Sequence, residues 1–174
     1  MEKGLGKFKR LAIILSLVVF SIVLIGCGSE PAEEKPSGPS PEQQKIKAVV
    51  DTLEPMIIEA EDLAEALTKT VQRFGYGEAN KETTVKEINK ILDATISLHS
   101  KVDGLELDEQ YDEIKGNLAT SLYLREPHMK KLLELMKQEN PKSSELNKIL
   151  AELDANQGFM NIAKGKLRIE KQKL

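Results

Sequence analysis

The stretch EQQKIKAVVDTLEPMIIEAEDLAEALTKTVQRF, residues 42–74, decides the fold of this chain. Its apolar residues recur at alternating steps of three and four, the spacing that gathers side chains on one face of a helix. Pro55 removes a backbone donor, yet the apolar phase continues past it, so we expect one kinked helix and not two separate ones. The predicted inward face consists of Ile46, Val49, Leu53, Met56, Ala60, Leu63, Leu67, Thr70 and Phe74.

A second helical pattern follows a short glycine-containing turn. Gly75 and Gly77 end the first helix, and Thr84-Val85-Lys86-Glu87 has the capping-box spacing that predicts a helix start near Thr84. Asp103-Gly104 marks the end of this helix. Its predicted inward residues are Val85, Ile88, Leu92, Ile96, His99 and Val102.

The third and fourth patterns are also helical. The third covers residues 108–138, contains Pro127 and is closed by Asn140-Pro141. Its predicted inward residues are Tyr111, Ile114, Leu118, Leu122, Met129, Leu132, Leu135 and Met136, with Arg125 on the same face. The fourth begins at Ser143 or Ser144 and is weakened by two glycines, Gly158 and Gly165. Its predicted inward residues are Leu146, Ile149, Leu150, Leu153, Met160, Ala163 and Leu167, with Asn156 and Gln157 on the same stripe.

Four amphipathic helices joined by short turns bury their apolar stripes most simply against one another. We therefore predict an all-α domain, an antiparallel up-down-up-down four-helix bundle over residues 42–174 with coiled-coil-like packing. An alternative is a three-helix core whose fourth helix is extended or swapped to a partner, which the two glycines of that helix would permit. The sequence leaves the oligomeric state open.

The first 27 residues have the pattern of an export signal. A basic opening precedes an apolar run from Leu11 to Ile25, which is shorter than the ~20 residues that a membrane-spanning helix needs. The run ends in Leu24-Ile25-Gly26-Cys27, which resembles the lipobox of bacterial lipoproteins. That resemblance implies a signal peptide over residues 1–26, acylation of Cys27 with palmitate-type chains, and anchoring at the extracytoplasmic face of the cell membrane. The alternative is an uncleaved signal anchor in which Cys27 has no role.

Residues 27–41 contain the lipidated cysteine and a linker rich in Pro, Ser, Gly and Glu, which cannot enter a core and is predicted to be a disordered tether. Without residues 1–26 the chain keeps 21 basic and 27 acidic residues, a net charge of −6. This charge argues against nucleic acid as a partner. A single cysteine cannot build a disulfide framework, and nothing in the sequence suggests a thiolate metal site.

In an antiparallel bundle, the end where the linker enters also holds the 103–107 turn and the C-terminus. The turns at 75–83 and 139–143 then lie at the far end. That far end contains Phe74 and Tyr76 beside two glycines, and we consider two interpretations: an exposed aromatic contact for a partner, or Phe74 completing the core with Tyr76 folded over the bundle end.

The C-terminal segment contains a cluster of basic residues. We expect them either to neutralise nearby acidic residues, especially the group at residues 103–113, or to contact anionic lipid or wall polymer. The cluster consists of Lys164, Lys166, Arg168, Lys171 and Lys173.

Candidate catalytic groups are few. Neither His99 nor His128 has the Glu-x-x-His spacing of di-iron bundles, and we predict no enzyme, no catalytic residue, no cofactor and no metal site. Arg125 needs a partner because a buried guanidinium without one is unfavourable. Either it reaches outward or pairs with Glu126 or with an acid on a neighbouring helix, or it holds a small anionic ligand together with His128 and Tyr123.

The sequence thus predicts a membrane-anchored, extracytoplasmic lipoprotein that acts as a helical interaction or structural module of the cell envelope, with an envelope protein as its partner. The alternative function is a small-ligand-binding or sensory bundle with its site near Arg125. Phe74 and Tyr76 are the candidate contacts in the first case.

Overall fold

The computed structural model describes residues 38–174; the predicted signal peptide, Cys27 and residues 28–37 of the linker lie outside the described residues. The helices, in chain order, are α1 (Pro41–Gly75), α2 (Lys81–Asp103), α3 (Asp112–Lys137), α4 (Ser143–Ala155) and α5 (Gln157–Lys171). A 3-10 turn, Glu109–Tyr111, leads into α3. This part of the chain contains no strand, and the predicted all-α fold is confirmed.

Helix α1 begins where the linker ends. The Ser40 side chain accepts a hydrogen bond from the Gln43 backbone N–H at 3.2 Å, and the Gln43 side chain accepts one from the Ser40 N–H at 2.9 Å. This reciprocal capping box, followed by Pro41 at the first helical position, fixes the start of the helix. As predicted, α1 continues through Pro55 without a break, and α3 likewise continues through Pro127.

The helices are arranged as a ring. Helix α1 packs beside α2 and α5, and α3 packs beside α2, α4 and α5, whereas α1 and α3 scarcely touch. The ion pairs Lys171–Glu54 and Lys164–Glu61 show that α5 runs antiparallel to α1.

The interior has two clusters of buried apolar residues. The lower core includes Ile46, Leu53, Leu98, Val102, Tyr111, Leu118, Leu122, Met160 and Leu167. The upper core includes Leu67, Val71, Ile88, Leu92, Met129, Leu132, Met136, Leu146 and Leu153.

Helix α2 differs from the prediction at its start and in its inward face. It begins at Lys81, capped by the Asn80 side chain, so the predicted start near Thr84 is wrong. Ile96, predicted inward, is 37% exposed, and Thr84 and Thr95 are buried instead. Each threonine hydroxyl donates to the carbonyl four residues back, at 2.9 and 2.8 Å, which allows a polar side chain to enter the core.

The predicted fourth helix is two helices. The N–H of Asn156 bonds to the Leu153 carbonyl, three residues back, at 3.1 Å, and this 3-10 bond separates α4 from α5. Asn and Gly are poor helix formers, and Asn156 and Gly158 lie at the break. Gln157 is exposed, so its predicted inward position is wrong; Asn156 is half-buried, with its amide 3.5 Å from the Leu124 carbonyl.

The two ends of the bundle are as predicted. At one end, the Gln43 amide lies 3.4 Å from the Leu174 carbonyl and Lys45 lies 3.5 Å from Asp108. We call this the tether end, because the linker enters there. At the other end, the Lys81 ammonium donates to the Gln138 carbonyl at 2.6 Å and joins the two remaining turns. We call this end the tip. Over residues 38–174, every helix is too short or too polar to cross a bilayer.

Candidate functional site

The tip presents one exposed aromatic side chain, Tyr76, which has 77% of its surface accessible. Its backbone is held by several hydrogen bonds: the Tyr76 N–H donates to the Gln72 carbonyl at 2.9 Å, and the Glu78 N–H donates to the Arg73 carbonyl at 2.8 Å. Gly77 supplies the left-handed conformation that closes the turn, with φ of 75°. A large side chain therefore stands in solvent on a fixed backbone.

Phe74 and Tyr76 differ in burial. Phe74 is half-buried and packs against the upper core, so the interpretation that it completes the core is confirmed. Tyr76 does not fold over the bundle end, and that part of the interpretation is wrong. The glycine on either side of Tyr76 gives it no large neighbour to pack on within the turn.

A cleft of about 240 Å³ lies beside Tyr76, between the end of α1 and the start of α4. Apolar residues on both sides, Val71 and Leu146, are buried, while the rim is polar. The rim includes Gln72, Ser143 and Asn147. An apolar floor with a polar rim next to an exposed tyrosine has the composition of a small protein-contact site.

Arg125 is buried, as its position on the inward face of α3 predicts, with 3% of its surface accessible. Its Nη1 donates to the Ala60 carbonyl of α1. No carboxylate of residues 38–174 lies within ion-pair distance of it, and Glu126 pairs with Lys130. The interpretations that Arg125 reaches outward or pairs with Glu126 are therefore wrong. Glu61 on the neighbouring helix α1 acts on Arg125 through its charge but forms no ion pair with it. Burial lowers the pKa of the Arg125 guanidinium, and the negative charge of Glu61 partly opposes that shift.

The Arg125 cleft, as we call the space beside this guanidinium, has a volume of about 330 Å³ and lies between α1, α3 and the α4–α5 junction. Three carboxylates line it together with Arg125, namely Glu61, Glu65 and Asp154. The sequence suggested an acid on a neighbouring helix but could not identify which one, because these three acids are far from Arg125 along the chain and the break between α4 and α5 was not predicted.

Tyr123 and His128 do not line the Arg125 cleft. Tyr123 is 60% exposed, and its ring lies 5.9 Å from that of His99 on α2. The Nδ1 of His128 lies 2.7 Å from the Leu124 carbonyl, and its Nε2 lies 3.3 Å from a Glu152 carboxylate oxygen. The structure thus gives the three predicted ligand-contact side chains three separate environments.

The lysines of the basic C-terminal cluster are paired with acidic residues. This agrees with the first of the two interpretations, neutralisation by nearby acids. Lys171 pairs with Glu54 at 2.6 Å and Lys164 pairs with Glu61, both on α1. Lys166 pairs with Glu113 of α3 at 2.7 Å, and Lys173 pairs with Glu170. Of these acids, only Glu113 belongs to the group at residues 103–113 that was expected to supply the partners. Helix α5 lies between α1 and α3, so its lysines also reach acids on α1.

The remaining titratable groups of the described helices and turns are not arranged as a catalytic or metal-binding site. His99 lies on α2, 3.4 Å from the Asp103 carboxylate one turn later. Within residues 38–174, no three histidine, cysteine or carboxylate side chains are grouped so that they could hold a metal ion.

Comparison with known proteins finds no matching family model, no matching curated protein and no matching solved structure.

Proposed function

We propose that this protein is a lipid-anchored, extracytoplasmic lipoprotein whose helical bundle acts as an interaction module of the cell envelope, with no chemistry of its own. The anchoring rests on the lipobox-like residues Leu24-Ile25-Gly26-Cys27, and the contact rests on Tyr76. A discrete envelope protein is the partner.

The observation that carries the proposal is the placement of Tyr76. Helix α1 has 35 residues, so its two ends are about 50 Å apart at 1.5 Å per residue. The linker enters at one end of this helix, and Tyr76 follows the other end. An anchor at Cys27 would therefore leave the exposed tyrosine and its cleft away from the membrane attachment point. Tyrosine on a fixed backbone loses little conformational freedom on binding, which favours its use as an anchor residue.

The anchoring is tested by growing cells that express the full-length protein with labelled palmitate. We expect label in the wild-type protein and none in Cys27→Ser, with the wild-type protein in the membrane fraction. Label that persists in Cys27→Ser would contradict acylation at Cys27.

The partner is tested by affinity purification of the full-length protein from detergent-solubilised envelopes, followed by quantitative mass spectrometry. Tyr76→Ala is compared with Tyr123→Ala, because both remove an exposed tyrosine but Tyr123 lies on α3 along the side of the bundle. We expect one protein that the wild type and Tyr123→Ala recover equally and that Tyr76→Ala loses. Recovery that is the same for all three proteins would contradict a contact through Tyr76.

A second candidate function, small-ligand binding, is favoured by Arg125, which is buried beside a cleft and has no carboxylate partner among residues 38–174. It predicts that a small ligand raises the melting temperature of the full-length protein and that Arg125→Met removes this increase. Methionine keeps a long apolar stem at the site and removes the charge and the donors.

A further inference from the structure

We propose that the Arg125 cleft binds a small zwitterion, with a carboxylate at one end and an ammonium at the other, such as a free amino acid. The inference rests on the second candidate function, ligand binding at Arg125, and adds to it the chemical class of the ligand.

The floor of the cleft is suited to a carboxylate. A guanidinium has five N–H donors in a planar fork that matches the two oxygens of a carboxylate. The hydrogen bond from Nη1 of Arg125 to the Ala60 carbonyl occupies one of them. The charge of Glu61 acts on this guanidinium, but no carboxylate of residues 38–174 lies within ion-pair distance, so the buried charge is only partly compensated. A ligand carboxylate would supply the missing partner.

The rim of the cleft is suited to an ammonium group. The Oε1 atoms of Glu61 and Glu65 are paired with Lys164 and Lys69, respectively. Asp154 accepts through Oδ1 from the Gln157 amide at 3.4 Å. In each case the bond uses one carboxylate oxygen, and the second oxygen keeps its capacity to accept.

The combination of floor and rim discriminates between ligand classes. A simple anion would reach Arg125 only past three carboxylates of its own sign, and a simple cation would meet the guanidinium at the floor. A zwitterion can place its carboxylate at the guanidinium and its ammonium at the carboxylates. The volume of about 330 Å³ falls at the small end of ligand pockets, which suits a molecule of amino-acid size.

The experiment is isothermal titration calorimetry of the full-length protein in detergent with L-alanine, L-leucine, L-lysine and L-glutamate. Propanoate and ethylamine, which are alanine without its amino and without its carboxyl group, are titrated in parallel. The variants are Arg125→Met at the floor, Glu65→Gln at the rim, and Glu59→Gln as a matched control on α1, whose side chain is exposed and does not line the cleft. Glu65 is also exposed, so its substitution leaves the core intact.

We expect at least one of the four amino acids to bind, and to bind more tightly than propanoate or ethylamine. Arg125→Met should weaken this binding about tenfold or more, the usual effect of losing a charge-assisted hydrogen bond. Glu65→Gln should weaken it to a smaller degree, and Glu59→Gln should leave it unchanged. Binding of propanoate as tight as that of alanine, and equally dependent on Arg125, would overturn the zwitterion while leaving ligand binding in place. Absence of binding by all six compounds, or binding unaffected by Arg125→Met, would overturn both.

Discussion

In the lower core, α5 is clamped between α1 and α3, whereas in the upper core α4 lies mainly against α3. Helix α5 buries Met160, Ala163 and Leu167 and is joined to its neighbours by three ion pairs from its lysines. Helix α4 buries only Leu146 and Leu153. The half of the bundle next to the tether is thus held by more buried residues and ion pairs, while the half next to the tip is packed less extensively and presents an exposed tyrosine. A region with fewer buried contacts opens more easily, and binding surfaces are commonly found in such regions.

The largest expected difference between the two halves comes from matched core substitutions. Leu167 in α5 and Leu146 in α4 are 5% and 4% exposed, so Leu→Ala removes equal buried surface at both. We expect Leu167→Ala to lower the free energy of unfolding by about 3 kcal/mol, because the clamped helix cannot close the cavity. Leu146→Ala should cost about half as much, because α4 can shift toward the cavity.

Urea denaturation of both variants measures this difference, and hydrogen exchange of the wild type should show faster exchange in α4 than in α5. Equal losses in the two variants, with equal exchange in the two helices, would remove the contrast between the lower and upper halves.

Two glycines give a second, smaller contrast. Gly165 lies within α5, and a Cβ built there meets no atom within 4 Å. Gly165→Ala should therefore raise the free energy of unfolding by about 0.5–1 kcal/mol through better helix propensity. Gly77 at the tip has a φ of 75°, where alanine is strained, so Gly77→Ala should lower it by about 1 kcal/mol. Thermal denaturation of both variants decides this, and a stabilising Gly77→Ala would argue against the rigid turn that presents Tyr76.

The smallest expected effect concerns a buried phenol in the lower core. The Tyr111 hydroxyl is buried and makes no hydrogen bond of ordinary geometry within residues 38–174. Burial, followed by the charges of Glu170 and Asp108, raises the pKa of Tyr111, and the charge of Lys173 and the neighbouring Gln110 side chain oppose that shift only in part. The folded state therefore holds the proton more tightly than the unfolded state. That contribution to stability is complete below the ordinary tyrosine pKa of about 10 and is lost as the pH rises above it.

Tyr111→Phe should accordingly be neutral or stabilising by up to about 1 kcal/mol at pH 7, since it removes an unpaired polar group. It should also flatten the decline in stability as the pH rises above about 10. Tyr123→Phe, which alters an exposed hydroxyl, is the control. A strongly destabilising Tyr111→Phe would indicate a hydrogen bond to that hydroxyl.

The sequence predicted the helices and most of their buried faces well, because the heptad spacing of apolar residues directly indicates which face of a helix is buried. It located the turns, the two ends and the buried Arg125, and it correctly treated Pro55 and Pro127 as interior to helices, since the apolar phase passes through both. It failed to predict that Thr84 and Thr95 are buried. Their hydroxyls donate to backbone carbonyls of the same helix, whereas in the sequence pattern threonine counts as a polar residue.

The break at Asn156 was the larger failure, and it affects the candidate site. The α4–α5 stripe is continuous in sequence, so periodicity could not reveal the break. The acids that line the Arg125 cleft come from α1 and from this junction, and only the packed structure places them together. The exposure of Tyr76 was one of two alternatives, and choosing between them required the geometry of the turn.

The most direct test of the central claim, that the tip is the contact surface, is photo-crosslinking in intact cells. A photoreactive phenylalanine analogue replaces Tyr76 in the full-length protein, or Tyr123 as the control, and adducts are identified by mass spectrometry. Asn147→Arg, which places a long side chain on the exposed rim of the cleft beside Tyr76, is combined with the probe at position 76. We predict one discrete adduct from position 76 that is absent from position 123 and is lost with Asn147→Arg. Equal capture from both positions, or an adduct that persists with Asn147→Arg, would contradict the claim.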